Sequence, residues 1–144
     1  MKITMSLITC VMLFSFSIYG QEMPKLGTIW NKSIYGKTKL YVPKYGFLNS
    51  AEIEINKIKF SLGLDSTNRI VFISTADRNF RIENEKFIGK EIKSFSKRIS
   101  LINGWANYIS LGSGWFAAAD FKNLNDKSKI TFLFQYLNKS DEEK

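Results

Sequence analysis

Three short stretches carry residue types that could do chemistry at a spacing that would permit it. Ser94-Phe95-Ser96-Lys97 fits the S-x-x-K pattern, in which a lysine one helical turn away deprotonates a serine nucleophile. Glu52 and Glu54 fall on one face of an extended segment, and paired carboxylates can hydrolyse glycosidic bonds. Gly36-Lys37-Thr38 matches the close of a phosphate-binding loop. Each fails on its surroundings. The S-D-N and K-T-G companions of S-x-x-K are missing and the chain is far smaller than those enzymes, so Ser94 and Lys97 read as the wet side of a helix. The two glutamates alternate with Ile53 and Ile55, as on a strand with one solvated face. The phosphate loop needs a glycine five residues before Gly36, where Asn31 stands. No cluster has the carboxylate spacing of a calcium loop.

Exclusion goes further. The chain has no histidine, and its one cysteine, Cys10, lies in an apolar N-terminal run. That run has the parts of a secretory leader: Lys2 ahead of it, Leu7 to Phe16 as its apolar centre, and Gly20 before polarity begins at Gln21-Glu22. It is short of the ~20 apolar residues that span a bilayer. Leu7-Ile8-Thr9-Cys10 faintly matches a lipoprotein box, but too few residues precede it, so Cys10 leaves with the leader. Residues 1–20 are therefore expected to be a signal peptide cleaved near Gly20-Gln21, making the protein secreted or periplasmic. Export without disulfides suits a bacterial envelope. Without histidine or a mature cysteine, the Ser-His-Asp triad, the Cys-His dyad and ordinary zinc sites are all excluded. The expectation is a protein that is not an enzyme, with no cofactor and no metal.

Charge bears on partners. Of 21 Lys and Arg the leader takes Lys2, so the mature chain carries 20 against 13 Asp and Glu, a net charge of +7. Five lysines and no acid lie between Lys25 and Lys44. A second basic stretch holds Lys86, Lys90, Lys93, Lys97 and Arg98, relieved by Glu91, and the tail Asp141-Glu142-Glu143-Lys144 is acidic. Such a balance favours anionic partners. For an exported chain these are acidic proteins, anionic glycans or lipid headgroups before nucleic acid.

The elements that must position these residues follow from periodicity. Residues 28–48 hold short aromatic runs punctuated by Gly36, Pro43 and Gly46, the mark of irregular edge strands. Ile58, Phe60, Leu62 and Leu64 alternate with polar or small residues, a half-buried strand. Ile53 and Ile55 keep the opposite phase, which requires a bulge or turn near Asn56. Ile70-Val71-Phe72-Ile73 is apolar on both faces, as in a central strand. Ile88, Ile92, Phe95, Ile99 and Ile102 are spaced as a helical stripe, and Asn103-Gly104 follows as a stop. The spacing predicts a helix over 88–102.

Trp105 to Phe121 reads as a hairpin closed by Gly112-Ser113-Gly114. Pairing Leu111 with Trp115 gathers Trp105, Ile109, Leu111, Trp115, Ala117, Ala119 and Phe121 on one face. Both tryptophans are then core, and Tyr108 and Phe116 remain as the surface aromatics. A last strand alternates through Ile130, Phe132, Phe134 and Tyr136. The expected fold class is α+β, a mainly antiparallel sheet packed with one helix. It forms a single domain over 21–137, followed by an acidic disordered tail over 138–144.

Phe80-Arg81-Ile82 leading to Phe87-Ile88-Gly89-Lys90-Glu91-Ile92 resembles a recurring element of small bacterial envelope proteins. In the outer-membrane assembly lipoproteins and β-lactamase inhibitor proteins, a phenylalanine and a short loop precede apolar-x-apolar-G-x-[ST]-x-x-E-apolar, which opens a helix before a hairpin. The likeness runs from Phe80 to Ala119. It departs at Glu85, where glycine is common, and at Lys90, where Ser or Thr is common. The resemblance implies non-enzymatic protein binding in the envelope and assigns no functional residue.

Two partners are expected for an exported binding protein of this kind. The first is a protein, bound in an inhibitor, immunity or assembly role through Lys90, Lys93, Lys97 and adjoining loops. The second is an anionic glycan or envelope polymer, bound through the segment Lys32 to Lys44, with Lys37 and Lys39 as charges and Tyr35, Tyr41 and Tyr45 as stacking surfaces. Tyr108 and Phe116 complete the candidate binding residues.

Overall fold

A computed structural model describes residues 22–31, 38–42, 44–95, 100–102, 108–119 and 127–138. The expected leader, most of the expected tail, Tyr35, Lys37, Lys97, Trp105 and Phe121 lie outside the described residues.

Alternation makes the strands and left-handed residues close the turns between them. β1 (Leu40–Val42) and β2 (Gly46–Ile55) form the first hairpin, and β3 (Ile58–Leu64) returns from β2 through Asn56-Lys57. Both turn residues have positive φ, 51° and 65°, as a two-residue hairpin loop with right-handed twist demands. That turn produces the phase change between Ile55 and Ile58. β4 (Ile70–Thr75) follows a turn organised by Asp65, whose Oδ1 accepts from the backbone N–H of Thr67 at 2.8 Å and of Arg69 at 2.9 Å. β5 (Ser100–Ile102), β6 (Tyr108–Gly112), β7 (Trp115–Ala119) and β8 (Ile130–Tyr136) complete one sheet, ordered β1-β2-β3-β4-β8-β7-β6-β5 with every described pairing antiparallel. The apolar strand 70–73 is indeed internal, with Ile70 and Ile73 on one face and Phe72 on the other.

The fold class is therefore all-antiparallel β, not α+β. Among the described residues the helical content is a single 3-10 turn, Ile92–Phe95. Over the described residues 88–95 and 100–102 the expected helix is absent, because the backbone of the first stretch is engaged elsewhere. Gly89 N–H donates to the Ile130 carbonyl at 2.8 Å, Ile130 N–H to Lys90 at 3.0 Å and Ile92 N–H to Ser128 at 2.9 Å. A strand-like clasp onto the entry of β8 thus replaces the i to i+4 ladder. Gly89, at φ +87°, turns the chain out of helical geometry, and Ile and Ser offer little intrinsic helix preference to resist. The described part of the apolar stripe still points inward: Phe95 is buried against Phe87 with ring centroids 4.9 Å apart, and Ile88 and Ile92 pack on the same core.

The second hairpin keeps the expected facing. Tyr108 pairs with Ala118, Ile109 with Ala117 and Ser110 with Phe116, while a bulge lets Gly112 rather than Leu111 pair with Trp115. Ser113 and Gly114, at φ 52° and 75°, close the loop. Trp115 is buried with Ile109 and Ala117, and Phe116 and Tyr108 lie on the opposite side. In β8 a register shift opposite Ala118/Ala119 puts Ile130 on the face away from Phe132 and Phe134.

The two faces are finished differently. One is covered by 22–30 and 76–95, which deliver Trp30, Ile82, Phe87 and Phe95 onto Phe60, Leu62, Ile73, Trp115 and Leu133. Each such side chain contributes about 1.5–3 kcal/mol by leaving water. The other face is built by strand residues and the β1–β2 turn, with Leu26 and Leu137 at its margin. Among the described residues, no helix is long and apolar enough to cross a membrane.

Candidate functional site

Strand register sets out the second face in rows. Glu52 pairs with Ser61, Ser61 with Ser74, Ser74 with Phe134, Phe134 with Phe116 and Phe116 with Ser110. That row is polar from Glu52 to Ser74, aromatic at Phe134 and Phe116, and polar again at Ser110. The rows beside it bring Phe72 next to Tyr136, and Phe132 next to Ala118 and Tyr108. Phe134 is 2% exposed and forms the hub, while Tyr108, Phe116, Phe132 and Tyr136 around it stay half-buried. Phe116 stacks on Phe134 at 5.5 Å and on Tyr136 at 5.1 Å, and Tyr108 meets Phe116 edge-on at 5.4 Å. Rings stacked on their neighbours across strands stand on edge and offer C–H rims to solvent rather than open faces.

Curling gives this face a pocket. Val42 of β1 and Tyr108 of β6 stand six steps apart in the strand order, about 29 Å in a flat sheet at ~4.8 Å per strand. They nevertheless line one cavity of about 120 Å³ together with Lys44, Phe72, Phe134 and Tyr136. The β1–β2 turn is tied down at the end of β8. Tyr45 donates its hydroxyl hydrogen to the Leu137 carbonyl, and Lys44 Nζ donates to the same carbonyl and to Asn138 Oδ1, both at 3.3 Å. Lys44 Nζ also lies 4.9 Å from the centre of the Tyr136 ring. Burial, a hydrogen bond with Tyr136 and that neighbour's charge raise the Tyr108 pKa above the ordinary phenol value of 10.0.

Past the Ser74–Phe134 pair the same face opens into a groove of about 620 Å³, lined by Glu52, Glu54, Lys59, Ser61, Ser74 and Phe132 among others. Both glutamates are exposed there, on the solvated side of β2 as the alternation predicts.

The other sequence-predicted residues are dispersed. Tyr41 and Lys39 are exposed on the first hairpin; Tyr41, 58% exposed, meets Phe47, 72% exposed, at 5.1 Å. Lys39 and Phe47 share a shallow groove of about 380 Å³ with Asp65. Lys90 lies 3.8 Å from Glu85 and 5.5 Å from the centre of the Phe95 ring. Lys93 lies 2.9 Å from Glu91, and its hydrogen bond and charge hold that carboxyl below the ordinary range. Lys90 and Lys93 thus flank a clasped loop rather than a helix face, each beside a carboxylate. Sequence reasoning named Tyr108 and Phe116 but missed Lys44 and Tyr136 as their companions. The alternation Phe132-Phe134-Tyr136, matched against Phe116 in the facing strand, is the signal that could have found Tyr136. Among the described residues no three metal-ligating side chains converge. No protein-family model, curated protein or solved structure matches the chain.

Proposed function

We propose that the protein is exported, catalyses nothing, and binds another protein in an inhibitory, immunity or assembly role through the open face of its curled sheet. One observation supports this most: Tyr108, Phe116, Phe132 and Tyr136 gather half-exposed on the face that, among the described residues, no second layer covers. A sheet with one face to water ordinarily alternates to place polar residues there. Leaving rings on it forgoes roughly 25 cal/mol for each Å² not buried. Contiguous aromatic surface of this kind marks interfaces, where rings act as anchors. Because the rings stand on edge, they suit apolar side chains better than the flat stacking of a sugar.

The test uses the mature chain as bait in an extract of its native envelope. Wild type should retain one stoichiometric protein, and Phe116→Lys should lose it while circular dichroism shows the variant still folded at the temperature of the pull-down. Export is checked by N-terminal sequencing of the mature product, which should begin at Gln21.

The exposed Tyr41–Phe47 pair beside Lys39 favours the second reading, an anionic glycan or envelope polymer held by the first hairpin. In that case retention on an anionic polysaccharide falls steeply with salt and with Lys37→Glu or Lys39→Glu, whereas an aromatic protein contact is far less salt-sensitive.

A further inference from the structure

We propose that the cavity between Val42, Phe72, Tyr108, Phe134, Tyr136 and Lys44 is a binding pocket for a branched aliphatic group bearing a carboxylate, and that it takes the C-terminal residue of the partner chain. The proposal rests on the protein-binding reading and names the chemistry of its anchor.

Its floor is apolar: Val42, Phe72 and Phe134 are all 5% exposed or less. Its rim is made of donors. Tyr108 and Tyr136 each bring a hydroxyl-bearing ring to the lining, and the Lys44 ammonium sits 4.9 Å from the centre of the Tyr136 ring. Among the described residues no carboxylate lines the cavity. An ammonium carries three N–H groups, and Lys44 uses two on the Leu137 carbonyl and Asn138, both long at 3.3 Å. An apolar floor under a cationic, hydroxyl-bearing rim matches an aliphatic group that ends in an anion.

Size narrows the choice. A cavity of about 150 Å³ takes a benzene ring, so the 120 Å³ here holds a branched side chain of about four carbons and excludes a long acyl chain. The neighbouring groove points to a chain terminus rather than a free acid. It begins one residue pair away on the same face, and its Glu52, Ser61 and Ser74 can accept backbone N–H groups of the residues that precede the anchor.

The mature chain is titrated with N-acetyl-leucine, N-acetyl-leucinamide, 4-methylpentanoate and a leucine-ended decapeptide, following the tyrosine ring signals by NMR. N-acetyl-leucine should bind saturably with a Kd on the order of millimolar, the amide at least tenfold more weakly, and the decapeptide at least tenfold more tightly. Lys44→Gln should weaken N-acetyl-leucine at least tenfold while circular dichroism shows the protein still folded at the temperature of the titration, and Val42→Phe should fill the cavity and abolish binding. If Val42→Phe does not fold, the acid-against-amide comparison and Lys44→Gln decide alone. No saturable binding of N-acetyl-leucine, or equal binding of its amide, overturns the pocket. A decapeptide no tighter than 4-methylpentanoate overturns the chain terminus and leaves a small-acid site. Should N-acetyl-leucine bind while the envelope extract yields no protein, the protein-binding reading fails and the pocket stands.

Discussion

Gly63 lies directly beneath Leu48: a β-carbon at this glycine would stand 2.8 Å from Leu48 Cδ1 and 3.0 Å from Phe72 Cβ. Leu48 can swing its methyl aside, but Phe72 Cβ is fixed to the backbone of the adjacent strand. The missing side chain is what lets the first hairpin close down on the aromatic face. Gly63→Ala should cost about 1–3 kcal/mol through overpacking, read as a lower urea midpoint at an unchanged slope.

Asp65 organises the turn into β4, and its acidity should show in stability. Burial pushes its pKa up, but hydrogen bonds from the Thr67 hydroxyl and the Arg69 and Thr67 backbone, with the Arg69 charge, outweigh it and leave it below the ordinary 3.8. A depressed folded pKa stabilises above the unfolded value, and the benefit is lost as pH falls through the folded one. Asp65→Ala should therefore cost about 1–2 kcal/mol at neutral pH. Urea titrations of the two proteins should converge as the pH drops below about 4.

Tyr108 gives the opposite sign. Its folded pKa is raised, chiefly by burial and then by Tyr136, so the stabilisation is complete below the ordinary 10.0 and disappears as pH climbs through the folded value. Spectrophotometric titration should show Tyr108 ionising late, and Tyr136→Phe should bring it closer to the ordinary value.

Phe134 and Tyr41 should behave as different kinds of residue. Phe134 is the hub of the stacked rings at 2% exposure, so Phe134→Ala should cost about 3–5 kcal/mol. Tyr41 is 58% exposed, and Tyr41→Ser should stay within about 0.5 kcal/mol. Equal losses in thermal unfolding would contradict the assignment of core and surface.

Much of the sheet could be read from residue order, because alternation and turn residues are local signals. Ile58 to Leu64, Ile70 to Ile73 and the 108–119 hairpin declare themselves this way, as do Tyr108 and Phe116 as the side chains left off the tryptophan face. The helix over 88–102 fails for the complementary reason. Its stripe records which side chains go inward, and a clasped loop can satisfy that stripe as well as a helix. What decides is the Ile130 and Ser128 backbone, far along the chain. The pocket is non-local too. Lys44 and Leu137 are 93 positions apart, and Val42 reaches Tyr108 through a curl that no periodicity encodes.

Strand order carries one more consequence. β8, the last described strand in the chain, sits in the middle of the sheet, joining β4 on one side to β7 on the other. Until it arrives, the earlier strands form two separate ribbons, each with a raw edge waiting for the same partner. Assembly must then wait for the final stretch, with the slowness that distant pairings impose. A polypeptide that stays unfinished this long remains threadable for most of its synthesis, a property that the export proposed above would use.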